Sequence, residues 1–187
     1  MILVVDMNCK KSSLGLFEFV QPIVSAIEKL DECSVNHYTD VALEDLAQYD
    51  AAILSGTPLK DNATLSQLDK FEWLKTWNKP ALGICAGFQT IGLLFGAHLK
   101  RCLGVGMTEI TTLQTNALFS SKFNAYTLHN FSIESGDTFE KLAQSTQCIQ
   151  AIKHRQIDVY GVLFHPEVRN PDILERFVSE FSRHRRV

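Results

Sequence analysis

The sequence predicts an α/β fold, with a doubly wound and mostly parallel sheet and a smaller region of antiparallel strands in its second half. Short apolar runs of strand length alternate with helical patterns through the first half. The second half instead carries a series of short strand-like runs before one last helical pattern. With 187 residues, 45% of them hydrophobic, the chain can bury a substantial core. We therefore expect residues 1–187 to form a single domain.

The first half opens with an apolar run, residues 2–5, that is typical of a buried parallel strand. Further strand-and-helix pairs follow, and such alternation indicates parallel strands joined by right-handed crossovers. Pro22 lies inside the first helical pattern and predicts that this helix is kinked or starts late. We expect strands over residues 2–5, 34–38, 51–54 and 81–84, and helices over residues 14–30, 43–49, 63–77 and 88–95.

The second half favours strands until its last segment. Pro171 suits the first position of a final helix, with Asn170 as its N-terminal cap. We expect strands over residues 105–112, 125–128, 147–152 and 159–164, a strand or a turn over 139–143, and a helix from 171 to about 184.

Charge and cysteine content argue against several functions. The formal net charge of −3 gives no general attraction to nucleic acid or membrane surfaces. The five cysteines are odd in number and irregularly spaced, which argues against a disulfide framework and a structural zinc site. The apolar start meets Asp6 at once, and no apolar run approaches the roughly 18 residues of a membrane span. We expect no signal peptide, a cytoplasmic setting, and neither a metal ion nor a cofactor.

Residues 81–89, A-L-G-I-C-A-G-F-Q, combine a predicted strand, a sharp turn and a helix around Cys85. This is the arrangement of a nucleophile elbow, with cysteine in the position of the serine. Gly83 and Gly87 leave room for a close approach of strand and helix. The free N–H groups of a helix N-terminus favour the thiolate form of a cysteine placed there. A buried structural cysteine is the competing interpretation of this motif taken alone.

A second motif, V-L-F-H-P-E-V at residues 162–168, offers a partner for the cysteine. A strand leads into His165, and Pro166 favours an extended conformation for the residue before it. In an extended segment, a spacing of two places His165 and Glu167 on the same side. A carboxylate can then hold one imidazole nitrogen and leave the other to serve a nucleophile. The two motifs together predict a triad of Cys85, His165 and Glu167.

These motifs resemble those of the class I, triad-type glutamine amidotransferases, whose fold is flavodoxin-like. Residues 83–89, G-I-C-A-G-F-Q, resemble the family's G-[IV]-C-L-G-H-Q. Residues 161–168, G-V-L-F-H-P-E-V, resemble G-V-Q-F-H-P-E-V, and residues 55–58, S-G-T-P, resemble S-G-G-P. The three motifs keep the family's order and extend over nearly the whole chain. Residues 54–56, 148–152 and 160–161 resemble the GMP synthetase branch.

The resemblance implies a reaction and a set of roles. Cys85 is expected to attack the side-chain amide carbon of L-glutamine, with His165 transferring protons and Glu167 orienting His165. The backbone N–H groups of Thr57 and Ala86 are implied as the oxyanion hole. The implied substrate-binding residues are Gly56, Gln89, Asn130 and Phe131.

The sequence departs from the family pattern at several positions. Thr57 replaces a glycine, and a β-branched residue would be strained there if the position required a positive φ. Ala86 and Phe88 replace leucine and histidine, so we expect an altered pocket wall. Leu128 is apolar where relatives usually carry a polar residue, and Phe131 stands where the GMP synthetase branch has aspartate.

The chain contains no G-x-x-x-x-G-K-[ST] signature for ATP binding. We therefore expect the released ammonia to pass to a separate ATP-dependent synthetase subunit. In the GMP synthetase branch this partner is of the ATP-pyrophosphatase type, and the ammonia aminates XMP. Two alternatives stay open, namely a stand-alone hydrolase of γ-glutamyl compounds with the same triad, and a non-catalytic regulatory module that keeps the fold.

Overall fold

The computed structural model describes the backbone of residues 1–182 and the side chains of residues 1–181. The strands are β1 (Ile2–Asp6), β2 (Cys33–His37), β3 (Ala51–Leu54), β4 (Ala81–Ile84), β5 (His98–Thr112), β6 (Phe123–Glu134), β7 (Phe139–Gln144), β8 (Ile149–His154) and β9 (Val159–Val162). The α-helices are α1 (Gln21–Ile27), α2 (Ala86–Leu94), α3 (Pro166–Arg169) and α4 (Pro171–Ser182). The predicted end of the last helix near His184 lies outside the described residues.

Within residues 1–182 the strands form one nine-stranded sheet in the order β2-β1-β3-β4-β9-β8-β7-β5-β6. Strands β1 to β4 and β9 pair in parallel, as expected for a doubly wound sheet. From β9 outward, β8, β7, β5 and β6 pair antiparallel. The prediction of a mostly parallel sheet is therefore only partly right, because the sheet is mixed. Strands that follow one another through short turns can return antiparallel without a crossover helix.

Strands β5 and β6 are longer than the sequence predicts. The predicted strands cover residues 105–112 and 125–128, whereas β5 begins at His98 and β6 extends to Glu134. The first four residues of β5 are all exposed, so the alternation of apolar and polar residues that marks a strand is missing there. The segment for which either a strand or a turn is expected, residues 139–143, lies in strand β7.

The first helical region does not start late, because the chain is helical from Leu14 onward, but the type of helix changes along its length. Helix α1 begins at Gln21 and carries Pro22 in its first turn. The preceding segment, Leu16–Val20, is π-helical. Proline has no N–H to donate, so Pro22 cannot make the backbone bond that an α-helical interior requires.

The helical pattern predicted over residues 63–77 folds as two 3₁₀ segments, Ala63–Ser66 and Leu68–Lys75. A 3₁₀ segment, Leu43–Gln48, also replaces the short helix expected over 43–49. The reason is visible in the spacing of the longer pattern, because a repeat of three residues matches a 3₁₀ turn better than an α-helical turn of 3.6. The apolar residues that recur at every third position are Leu65, Leu68, Phe71, Leu74 and Trp77.

The two faces of the parallel sheet are covered by different layers. Ile2 and Val4 of β1 face a core cluster that includes residues of α1 and α4. Leu3 and Val5 face a second cluster, which includes residues of α2 and of the 3₁₀ segments. Because both faces are covered, the loops beyond the carboxyl ends of β1, β3, β4 and β9 are the natural place for an active site.

Two features are absent from residues 1–182. In this range no helix has the length and apolar character needed to cross a membrane. The same residues contain no group of three or more His, Cys, Asp or Glu side chains placed to hold a metal ion.

Candidate active site

Cys85 lies at the tip of a sharp turn between β4 and α2, as the elbow motif predicts. Its backbone angles, φ 48° and ψ −96°, are unfavourable for a residue with a side chain. Strain of this kind costs about 1–3 kcal/mol and persists only where the surroundings hold it. Here the Cys85 N–H donates to the Val162 carbonyl at 2.9 Å, and the Gln89 N–H donates to the Cys85 carbonyl at 3.0 Å.

The elbow needs glycine on both sides of the cysteine because the backbones there are in contact. A Cβ on Gly83 would lie 2.4 Å from the carbonyl carbon of Gly87. A Cβ on Gly87 would lie 2.6 Å from the Leu54 carbonyl oxygen. Both clashes involve main-chain atoms, which cannot move aside as a flexible side chain could. The glycines therefore fix how closely α2 approaches β3 and β4.

His165 and Glu167 are brought together in a buried pair. The His165 Nδ1 lies 2.7 Å from Glu167 Oε1, and the exposed fractions of the two side chains are 1% and 0%. His165 is extended, with φ −103° and ψ 90°, and Pro166 begins α3. The expectation that Glu167 also lies in an extended segment is wrong, because Glu167 is in the first turn of that helix. The turn of α3, rather than the alternation of a strand, places the carboxylate against the imidazole.

The surroundings of His165 favour its protonated form. Burial by itself lowers the pKa of His165, but the Cys85 sulfur and the Glu167 carboxylate outweigh it and hold that pKa well above its ordinary value. Because Nδ1 faces Glu167, Nε2 is the nitrogen left for the cysteine. Within the described residues Nε2 has no partner at hydrogen-bonding distance and angle. The Cys85 thiol instead donates to the Leu128 carbonyl at 3.4 Å.

Thr57 and Ala86, the predicted oxyanion donors, have backbone N–H groups without a hydrogen-bond partner in residues 1–182. The neighbouring Gly87 N–H is occupied, since it donates to the Ser55 carbonyl at 3.3 Å. This bond ties the start of α2 to the loop that carries Thr57. The strain anticipated at Thr57 is not found, because Thr57 is not one of the positive-φ residues of the described chain. Its hydroxyl donates to the Asp61 carbonyl at 3.0 Å and closes the loop.

Gly56 packs directly against the imidazole of His165. A Cβ at position 56 would lie 2.6 Å from the ring carbon Cε1 of His165 and 3.3 Å from Phe19. The Phe19 ring itself lies 5.6 Å from that of His165, centroid to centroid. Gly56 is therefore required for the position of the His165 ring, whether or not it also contacts a substrate.

The predicted substrate-binding side chains Gln89 and Asn130 both donate hydrogen bonds to backbone carbonyls. Gln89 Nε2 donates to the Phe131 carbonyl at 2.8 Å. Asn130 Nδ2 donates to the Leu59 carbonyl at 2.8 Å, which joins β6 to the loop that follows Thr57. These two bonds connect the parallel and antiparallel parts of the sheet around Cys85.

The predicted change of a pocket wall at position 88 is not what the structure shows. Phe88 is fully buried. A Cβ on Gly161 would lie 2.9 Å from its ring, so Phe88 packs between α2 and β9. Its side chain fills the core under the elbow.

Two contributions to the site come from β6 and are not indicated by the sequence. The Tyr126 carbonyl accepts a hydrogen bond from the His165 N–H at 2.8 Å. The Leu128 carbonyl accepts the thiol of Cys85. Both are main-chain atoms, which every residue type provides, so no choice of side chain in the sequence could have indicated them.

His129, next to these carbonyls, is engaged with β5. Its Nδ1 lies 2.9 Å from the Cys102 carbonyl, which can only accept, so this nitrogen carries the proton. Burial lowers the pKa of His129, against the opposing effect of the bond to Cys102. A Cβ on Gly104 would lie 2.5 Å from the His129 ring, which explains the glycine opposite it. His129 is thus a buried neutral residue that supports β6.

Solved structures share this fold. A Thermoplasma acidophilum protein, assigned provisionally as a subunit of GMP synthase, superposes with a TM-score of 0.83 at 23% sequence identity, over 99% of this chain and 96% of that one. A glutamine amidotransferase of Thermotoga maritima gives a TM-score of 0.70 at 16% identity, over 98% and 83% of the two chains. At these identities the likeness concerns the fold alone.

Sequence relatives and a family profile show the family as well as the fold. A Picrophilus torridus protein, named as a subunit of glutamine-hydrolyzing GMP synthase, is 33% identical over 150 residues, which are 74% of this chain and 80% of the relative. A Methanococcus maripaludis protein of the same name is 30% identical over 176 residues, 89% of this chain and 91% of the relative. The family described as glutamine amidotransferase class-I matches residues 17–181. The chain therefore belongs to the class-I glutamine amidotransferases.

Proposed function

We propose that this chain is the glutamine-hydrolysing subunit of a GMP synthase, and that residues 1–187 act as one amidotransferase domain. It releases ammonia from L-glutamine and delivers it to a separate ATP-pyrophosphatase-type subunit, where XMP is aminated. The observation that carries the proposal is the buried pair of His165 and Glu167 beside Cys85 in its strained elbow. The names of the relatives support the choice of GMP synthase among amidotransferases.

In the first half of the reaction, the Cys85 thiol gives its proton to His165 Nε2, and the sulfur then attacks the side-chain amide carbon of glutamine. The C–N bond breaks, and His165 Nε2 gives its proton to the departing ammonia. The product is a glutamyl thioester on Cys85. The raised pKa of His165 suits this step, because the imidazolium is present when the leaving group needs a proton.

In the second half, His165 is neutral and accepts a proton from water. The water oxygen attacks the thioester carbon, the C–S bond breaks, and glutamate leaves as the thiolate is restored. Glu167 keeps the proton of the neutral ring on Nδ1, so Nε2 is the basic nitrogen throughout.

Both steps place negative charge on the former carbonyl oxygen. The N–H groups of Thr57 and Ala86 are the donors proposed to receive it, and each such donor lowers a barrier by about 3 kcal/mol. Their availability supports the proposal, because the adjacent Gly87 N–H is already bonded to Ser55. The closed loop of residues 57–61 gives the Thr57 donor a fixed position.

Substrate binding is proposed for Gly56, Gln89, Asn130 and Phe131. Because the Gln89 and Asn130 amides already bond to protein carbonyls, they act chiefly by positioning the segments that meet glutamine. Gly56 leaves room for the imidazole, and its backbone lies beside that ring. Backbone groups of this kind can hold the α-amino and α-carboxylate groups of the substrate.

The test combines the full chain with a candidate synthetase subunit of the ATP-pyrophosphatase type. We expect the mixture to form GMP from XMP, ATP and glutamine. Cys85→Ala should abolish this activity and leave GMP formation from ammonium salts intact. Cys33→Ala, in β2 and far along the sheet from the elbow, is the matched control and should retain activity.

The proposal fails if wild-type chain and Cys85→Ala release glutamate at equal rates, both alone and with the synthetase. A panel of γ-glutamyl compounds separates the stand-alone hydrolase from the synthase subunit. Cleavage of the panel without glutamine-dependent GMP formation would favour the hydrolase.

A further inference from the structure

Cys102 and Cys148 lie side by side although 46 positions separate them in the sequence. Their sulfur atoms are 2.8 Å apart, and both are free thiols. Cys102 belongs to β5, and Cys148 immediately precedes β8. We propose that these two residues are an oxidation site at which a reversible intramolecular disulfide forms, distinct from the catalytic cysteine.

The geometry requires little movement. A disulfide has an S–S length of about 2.05 Å, so the two sulfurs need to approach by roughly 0.75 Å. Cys102 lies within a strand, and Cys148 lies in the short turn between β7 and β8, where its N–H donates to Ser145 Oγ at 3.3 Å. Cys102 lies at the β-bulge of β5, where the register against β6 shifts between Arg101 and Gly104. The bulge changes the direction of the strand and aims this side chain toward Cys148.

Access decides which sulfur reacts first. Cys148 is half-buried and lines a cavity of about 600 Å³, together with Lys100 and Ser145. Cys102 is buried, and burial together with the bond to Cys148 raises the pKa of its thiol to about 12. Cys148 therefore meets a dissolved oxidant, and Cys102 follows as the resolving thiol.

The oxidant is a hydroperoxide, of which hydrogen peroxide is the simplest. The Cys148 sulfur attacks one peroxide oxygen, the O–O bond breaks, and the proton of the thiol leaves with the hydroxide as water. The Cys102 sulfur then attacks the resulting sulfenic acid of Cys148. An S–S bond forms, the S–O bond breaks, and the second hydroxide leaves as water with the proton of Cys102. The two thiols lose two electrons in total, and the peroxide is reduced to two waters.

The pair lies behind the strand that faces the nucleophile. The Cys102 carbonyl holds the His129 Nδ1 at 2.9 Å, and Gln150 Nε2 lies 3.4 Å from the Cys148 sulfur and 3.5 Å from His129 Nε2. The disulfide would link β5 to the start of β8 beneath this network. The inference does not depend on the proposed function, since neither sulfur belongs to the Cys85 triad.

The experiment uses the full chain carrying Cys85→Ala, so that the nucleophile does not consume the oxidant. After treatment with a small excess of hydrogen peroxide, remaining thiols are alkylated and the intact mass is measured. We expect the loss of two hydrogens, two fewer alkylated thiols, and a linked peptide that joins Cys102 to Cys148. Dithiothreitol should restore both thiols.

The variants Cys102→Ala and Cys148→Ser, each in the same background, should no longer lose the two hydrogens. Cys9→Ser is the matched control and should behave like its parent, because Cys9 is exposed and follows β1 in the parallel half of the sheet. Thermal unfolding of each variant shows that it is folded before the comparison is made. The proposal is overturned if peroxide links Cys9 or Cys33 instead, produces disulfide-bonded dimers, or leaves Cys102 and Cys148 fully open to alkylation.

Discussion

The parallel half of the sheet and the antiparallel hairpin of β5 and β6 contribute to the same site in different ways. In the parallel half, the site is built into the path of the main chain. Cys85 has a strained backbone, and Gly83 and Gly87 allow direct contact between main chains. The hairpin contributes carbonyl oxygens, with Leu128 receiving the thiol and Phe131 receiving the Gln89 amide.

This difference explains which half can be recognised from the sequence. A main-chain contact at a glycine excludes every other residue type, so it leaves a mark in the sequence. A carbonyl acceptor excludes nothing, so the segments that carry Tyr126, Leu128 and Phe131 show no comparable motif. The comparison predicts that substitutions in the two halves have different kinds of effect.

The largest effect on glutaminase activity is expected from a substitution in the buried pair of His165 and Glu167, at the edge of the parallel half. Glu167→Gln removes the carboxylate that orients His165, and glutaminase activity should fall by roughly 10³–10⁴-fold, as for other triads that lose their orienting carboxylate. The exposed Glu180→Gln is the matched control. Activity within tenfold of wild type would contradict the role given to Glu167.

Glu167→Gln should also change how the free energy of unfolding depends on pH. Because the folded-state pKa of His165 is raised above the unfolded value of about 6.5, the linked stability is full below about pH 6.5 and is lost as the pH rises through the raised pKa. Removing the carboxylate lowers that pKa, so the loss of stability should end at a lower pH and be smaller in total. Urea unfolding of wild type and Glu167→Gln across pH 6 to 10 measures the shift, and identical profiles would count against it.

The contrast between main-chain and side-chain contacts can be tested with two alanine substitutions. Gly87→Ala places a Cβ 2.6 Å from the Leu54 carbonyl oxygen and must displace α2, so we expect about 1–3 kcal/mol of destabilisation and roughly a 10²-fold loss of kcat. Gly104→Ala meets only the His129 side chain. It should reduce kcat by a smaller factor. Equal losses of kcat in the two variants would remove the distinction between the halves.

A smaller loss of activity is expected when the hydrogen bond from Gln89 to the Phe131 carbonyl, which joins the two halves, is removed. Gln89→Met keeps the volume of the side chain but removes the donor to the Phe131 carbonyl, which should lower kcat/KM for glutamine by about tenfold. Gln67→Met, in the 3₁₀ region, is the control and should change little. Steady-state kinetics of both variants, with thermal unfolding as a check on folding, decide whether the bond positions the substrate segment.

The smallest effect concerns acid stability in the hairpin. Because burial lowers the folded-state pKa of His129, the unfolded chain binds a proton below about pH 6.5 that the folded chain does not. The free energy of unfolding should therefore fall as the pH drops below this value. In His129→Gln the free energy of unfolding should fall less steeply as the pH drops. The carboxylates that titrate in the same range are common to both proteins, so their effect is removed by the comparison with wild type. Parallel profiles for the two proteins would show that His129 contributes nothing to acid stability.

Much of the fold can be predicted from local patterns. Strands β1, β3 and β4 lie within a residue of their predicted positions, because continuous apolar runs are their signature. The helical regions are harder to predict. A helix is predicted over residues 63–77, yet the apolar repeat of three from Leu65 to Trp77 folds as 3₁₀ turns. The exposed start of β5 has no apolar alternation, so it could not be predicted as a strand.

The candidate nucleophile, its candidate base and the glycines of the elbow can be identified from the amino-acid sequence, because each requires a particular side chain or the absence of one. The folded chain is needed to show that α3 turns Glu167 onto His165 and that a β6 carbonyl faces Cys85. It alone brought the sulfurs of Cys102 and Cys148 together, although the odd number of cysteines and their spacing argued against a disulfide framework. Such contacts depend on strand register and on a bulge, which set distances between residues far apart in the chain.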